Sequence, residues 1–193
     1  MRVKVQGETL HREVYAPIKD GKRGWLKRMA HKKTIPSTTQ KGAAEIPKRL
    51  KTFDKNESFA VLATNDGGKP YTSLISFALT PDLRQVIFAT PRNTRKFKNI
   101  TTKRDVALLI DNRSKRKKGF MGTEAITVTG TATTIRRGRV WIEYAGIFLK
   151  KHPELEEFVN ASTTALIIID ITSCVHVGSF QIITVMDWKG RES

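Results

Sequence analysis

The stretch VIFATPRNTRKFKNITTKRDVALLID, Val86 to Asp111, decides the fold. Val86 to Thr90 is apolar and β-prone, and Pro91-Arg92-Asn93 breaks it. Thr94 to Lys103 carries Phe97 and Ile100 at helical spacing, with Asn93 or Thr94 available as the cap. Val106 to Ile110 is a buried-strand run. The order is therefore strand, turn, short helix, strand. Arg95 and Lys96 fall in the first helical turn, where cations oppose the helix dipole and cost stability. Thr, Arg and Lys beside free backbone N–H groups suit a bound phosphate. A solvated basic helix start in a lysine-rich chain is the other reading of the same residues. No glycine-rich loop occurs, so neither a P-loop nor a dinucleotide fingerprint is on offer.

Upstream, Ser58 to Thr64 reads as a strand with Phe59, Val61 and Ala63 on one face and Ala60 and Leu62 on the other. Both faces are apolar, which places it in a closed or covered sheet. Asp66-Gly67-Gly68 is a hairpin turn, and Lys69 to Leu79 is a second strand rich in hydroxyls. Ile46 to Phe53 is a short amphipathic helix with Pro47 in its first turn. Downstream, Glu124 to Arg137 alternates apolar and threonine residues, and Gly130 marks a bulge. Val140, Trp141, Tyr144, Ile147 and Phe148 form the core-facing stripe of a helix, and Glu154 to Val159 a second short helix. Ala165–Ile171 and Cys174–Asp187 are the last strands, and Gly178 allows a sharp bend. The pattern predicts a small antiparallel barrel of about six strands with peripheral helices.

These segments, taken in order, resemble the pyridoxamine 5′-phosphate oxidase-like FMN-binding split-barrel family. The residues that carry the resemblance are FAVLAT (Phe59–Thr64), GKPYTSLISF (Gly68–Phe77), FAT (Phe88–Thr90), TRK (Thr94–Lys96) and VALL (Val106–Leu109). The resemblance implies a mainly β fold, an antiparallel six-stranded split barrel of Greek-key type over residues 45–193, preceded by a basic extension over residues 1–44. It also implies FMN as cofactor. Thr72, Ser73, Leu74 and Ile75 would line the isoalloxazine and ribityl chain, and Ala89 and Thr90 would continue that wall. Thr94, Arg95 and Lys96 would hold the phosphate, and Trp188 would stack on or cover the ring. A homodimer with flavin at the interface and a small-molecule substrate follow from the same resemblance. The oxidase proper has an arginine where Ser73 stands and a lysine where Ala78 stands. It also has a C-terminal Trp followed by R-L-x-P, whereas this chain ends DWKGRES. The expected activity is therefore an oxidoreductase, reductase-like, on a different small molecule. The alternatives are a binding-only barrel for flavin, haem or deazaflavin, and a basic nucleic-acid-binding protein.

Composition narrows the rest. The chain has 193 residues, 39% of them hydrophobic, with net charge +17, which attracts polyanions or phosphorylated small molecules. The basic residues before Glu45 lack the interleaved aromatics of a base-stacking platform, so nucleic acid is not the expected partner. Lys115–Lys118 reads as a solvated loop between strands. No apolar run spans a bilayer and the N-terminus has no apolar h-region, so a cytoplasmic protein is expected. The single cysteine, Cys174, sits among apolar strand residues and reads as core. The four histidines do not pair at metal spacing, so no metal site is expected. With no strong acid, base or nucleophile apparent, the chemistry falls to a cofactor. Deleting Met1–Ala44 is expected to leave a folded barrel, checked by a single cooperative thermal transition of the truncated chain.

Overall fold

The computed structural model describes residues 45–113, 123–178 and 182–187. Met1–Ala44, Lys115–Lys118 and Trp188 lie outside the described residues. Helix α1 (Ile46–Asn56) comes first and buries Ile46, Leu50 and Phe53. Strands β1 (Phe59–Asp66), β2 (Lys69–Ser76), β3 (Ala78–Leu79) and β4 (Gln85–Pro91) follow, then helix α2 (Arg95–Thr102) and β5 (Asp105–Asp111). The remainder is β6 (Ala125–Ile135), α3 (Arg139–Lys151), a 3-10 turn (Pro153–Leu155), α4 (Glu156–Asn160), β7 (Thr164–Gly178) and β8 (Ile182–Asp187).

All strand pairs are antiparallel, in the order β2-β1-β5-β6-β7-β4-β3 with β8 beside β7. The sheet curls until β2, one edge, meets β4 near the other. The fold is mainly β, a half-barrel with a few helices, as the sequence pattern predicts. Alternation fills the inside: Ala60, Leu62, Ile75, Val86, Phe88, Val106, Leu108, Ile110, Ile126 and Val128 form one buried cluster. A second cluster lies under α3 and α4, where Trp141, Ala145, Phe148 and Val159 cover Ile87 and Leu166.

Three segments differ in detail from the sequence reading. The predicted second strand, Lys69–Leu79, divides at the fully buried Phe77, because β2 pairs with β1 and β3 pairs with β4. Conversely, Ala165–Ile171 and Cys174–Val177 belong to one long strand. Thr172 and Ser173, polar enough to read as a break, bond their hydroxyls to Thr129 across the ladder. Val140 does not join the core stripe of α3; it is exposed.

The bulge expected at Gly130 is present as a register shift between Thr129 and Gly130. There β6 and β7 approach so closely that a Cβ on Gly130 would collide with the Asp170 carbonyl oxygen. That neighbour is backbone and cannot turn away. Gly130→Ala is therefore expected to destabilise the chain by about 1–3 kcal/mol, the usual cost of overpacking, read as a lower unfolding midpoint.

Candidate functional site

Helix α2 starts where β4 ends, and it packs on β1 and β2. The Thr94 side chain caps it, accepting from the Phe97 amide at 3.4 Å and donating to the Pro91 carbonyl at 2.8 Å. Its hydroxyl also lies 3.1 Å from that of the buried Thr90. The Lys98 amide bonds the Thr94 carbonyl. With Phe97 and Lys98 satisfied, the amides of Arg95 and Lys96 are the first-turn donors left without a partner among the described residues.

Both cations of that turn reach towards the β1–β2 hairpin. Lys96 Nζ donates to the Leu74 carbonyl at 2.9 Å. The Arg95 guanidinium pairs with the Asp66 carboxylate and lies over the Tyr71 ring, 5.0 Å from its centre. Beneath them a buried link runs from Asn99 Nδ2 to Thr64 Oγ1, 2.9 Å, and from Thr64 Oγ1 to the Tyr71 carbonyl, 3.3 Å. The link fixes α2 against the hairpin. Ser73 Oγ is buried without a hydrogen-bond partner among the described residues. A buried hydroxyl costs free energy unless something meets it, and this one stands on the same face of β2 as the core residue Ile75.

The residues expected to form the ligand wall do not share one surface. Strand alternation separates them: Ile75 turns into the barrel core, while Thr72 and Leu74 are exposed on the opposite face. On β4, Thr90 is buried beside Thr94, whereas Ala89 packs against the α3 cluster. Ile75 is buried in the core and Ala89 is partly buried against α3. The sequence reading did not single out Asp66, Tyr71, Thr64 or Asn99 for the site. Asp66 was legible only as a turn residue, and the partners of the other three depend on the ladder register.

Cys174 and the described histidines lie away from this turn in the chain. Cys174 is in the barrel core, and burial pushes its thiol up to about 12, so it is no nucleophile at neutral pH. The buried His152 donates from Nε2 to the Phe77 carbonyl at 2.9 Å. His176 Nε2 lies 3.5 Å from Glu124 and, like Ser73 Oγ, is buried without a hydrogen-bond partner among the described residues. Among the described residues, no three His, Cys, Asp or Glu side chains gather as a metal site, and no helix is long and apolar enough to cross a membrane.

A curled antiparallel half-barrel with a cation-bearing helix after its fourth strand defines a split-barrel protein. Residues 46–172 match the family described as pyridoxamine 5′-phosphate oxidase, and the chain belongs to that family. No curated protein sequence matches it significantly. Solved structures share its fold at low identity. A haem-binding protein from Mycobacterium smegmatis is 16% identical with a TM-score of 0.65, the match covering 79% of this chain and 58% of that one. HutZ, the haem storage protein from Vibrio cholerae, is 16% identical with a TM-score of 0.57, covering 64% and 88%. An FAD-binding protein from Mesorhizobium loti is 10% identical with a TM-score of 0.54, covering 67% and 91%. These proteins share an architecture used for both flavin and haem.

Burial lowers the pKa of Lys96 below the ordinary lysine range. The charged ammonium is the form that holds an anion, so affinity that depends on it is lost as pH rises through that lowered pKa. Anion binding that depends on Lys96 is therefore expected to weaken at a lower pH than an ordinary lysine would dictate, and Lys96→Arg, which keeps its charge, to flatten the profile. Titrations of inorganic phosphate at each pH, read by its effect on the unfolding temperature, provide the check.

Proposed function

We propose that the chain is an FMN-binding flavoprotein that works as a homodimer and reduces a small molecule. The observation that carries this reading is the convergence at the start of α2. Arg95, Lys96 and two unpartnered first-turn amides stand there, and Lys96 bonds the carbonyl that follows Ser73, whose buried hydroxyl lacks a partner. That donor set suits the phosphate and polar edge of FMN. Bound FMN would supply hydride-transfer chemistry. The chain's residues would hold the phosphate, through Arg95 and Lys96, and donate hydrogen bonds from Ser73 and the backbone of β2. Thr94 keeps the helix start in place for both cations.

The dimer is supported by the outer face of β2-β1-β5. Phe59, Leu74 and Leu109 are exposed there at 57%, 62% and 37%, large values for apolar side chains. Val61 pairs with Leu74 on one side and Leu109 on the other, so the three form one row across the sheet. Phe59 joins them around a groove of about 380 Å³. A second copy of the chain would cover this patch, whose exposure is otherwise costly. Family members are often dimers with a ligand at the interface, and Trp188 of this chain remains a proposed cover for the ring.

Haem is the second reading, favoured by the names of two structural neighbours. Its carboxylates suit the same cations, but its iron needs an axial ligand. Of the described histidines, His152 bonds the Phe77 carbonyl and His176 lies 3.5 Å from Glu124, and neither is among the proposed cofactor-holding residues. Flavin is the preferred ligand because the donor set at the start of α2 suits its phosphate.

The purified protein is expected to be yellow, with flavin absorbance and a hydrodynamic mass of two chains. A red protein with a haem absorption band would replace FMN by haem. Charge-assisted bonds contribute roughly 1.5–3 kcal/mol each, so Arg95→Ala is expected to weaken FMN binding about tenfold to a hundredfold. Riboflavin, which lacks the phosphate, should be nearly unaffected, and Lys150→Ala on α3 serves as the control. Unchanged FMN affinity in both Arg95→Ala and Lys96→Ala would end the phosphate assignment.

A further inference from the structure

We infer that Asp66 tunes the site by competing with a bound phosphate for Arg95; the inference rests on the reading of α2 as the phosphate-holding element. Asp66 is the last residue of β1 and pairs in register with Lys69. Gly67 and Gly68 between them have φ of 59° and 90°, successive positive values that suit a tight two-residue hairpin turn. The Gly68 amide donates to Asn65 Oδ1 at 2.7 Å, which fixes the turn further. The carboxylate is thus carried by a rigid hairpin, and Asn99, Thr64 and the Tyr71 carbonyl tie that hairpin to α2. Its distance from the helix start is set by the fold.

Arg95 lies between these two elements. Its guanidinium pairs with Asp66 and rests on the Tyr71 ring. The two side chains are 61% and 30% exposed, so the pair is solvated and exchangeable. A phosphate arriving at the first turn meets an arginine whose charge is already offset. It also meets the Asp66 charge within a screening length. A dianion is repelled more than a monoanion, so Asp66 weakens phosphate esters more than carboxylates. The hairpin acid then works against cofactor retention, keeping the bound group exchangeable.

Asp66→Asn tests this, because asparagine suits the turn equally and removes only the charge. FMN and riboflavin are titrated by fluorescence against the wild-type chain, Asp66→Asn, Arg95→Ala and the double variant. Inorganic phosphate is titrated in parallel by its effect on the unfolding temperature. The expected result is FMN binding about threefold to tenfold tighter in Asp66→Asn, with riboflavin unchanged. The gain should shrink at high salt and be smaller in the Arg95→Ala background. FMN binding that is unchanged or weaker in Asp66→Asn would overturn the proposal, the weaker result making Asp66 an orienting partner of Arg95. An equal gain for riboflavin would also overturn it. If neither protein binds flavin, the FMN reading fails. In that event a larger stabilisation of Asp66→Asn than of wild type by inorganic phosphate still supports competition, and no difference overturns it.

Discussion

The structure depends on a change of partner at Phe77. The chain leaves β1 as its neighbour at Ser76 and takes up β4 at Ala78. That transfer brings the two ends of the sheet together and closes the half-barrel. Phe77 is fully buried, and its carbonyl, free of the ladder at the corner, accepts from His152 Nε2. Lys151 Nζ sits 3.7 Å from the centre of its ring and bonds Asp54 of α1 at 2.8 Å. Asp54 in turn accepts from the Leu79 amide. The corner is thus held by polar contacts from α1 and α3, which satisfy backbone groups that sheet pairing leaves open.

Closure gives the start of α2 its neighbours. Because β2 lies beside β4, a helix leaving the end of β4 packs directly on β2 and the hairpin. The cations at that helix start, unfavourable against the dipole, find the Leu74 carbonyl and the Asp66 carboxylate within reach. The electrostatic character of the site is therefore a balance between a basic turn and one acid on an adjacent strand end. The outer face of the same β1–β2 hairpin carries Leu74, which links the site to the surface proposed for the second copy.

Much of this was legible in the chain. The Val86–Asp111 stretch gave strand, helix and strand because each signal is local: a β-prone run, a proline break, a threonine cap, and apolar residues at helical spacing. Gly130 was readable as a bulge because a glycine amid alternating residues signals a close backbone approach. The Lys69–Leu79 run looked continuous because nothing in its composition marks a change of partner. The Thr172-Ser173 step looked like a break because hydroxyls that bond across a ladder read as turn residues in isolation.

The sequence by itself determined the fold family, the helix start with its two cations and the buried character of Cys174. The helix start and the buried cysteine follow from residue type and local spacing, and the family from the resemblance carried by the ordered motifs from Phe59 to Leu109. Tertiary structure decided which hydroxyls, carbonyls and carboxylates meet those cations. Pairing register and sheet curvature set distances between residues far apart in the chain, and no local pattern encodes them. Thus Ser73 and Ile75, two residues apart on one strand face, separate into an unpartnered hydroxyl and a core side chain. Asp66, a turn residue in the sequence, becomes the partner of Arg95 because the closed sheet places the hairpin against α2.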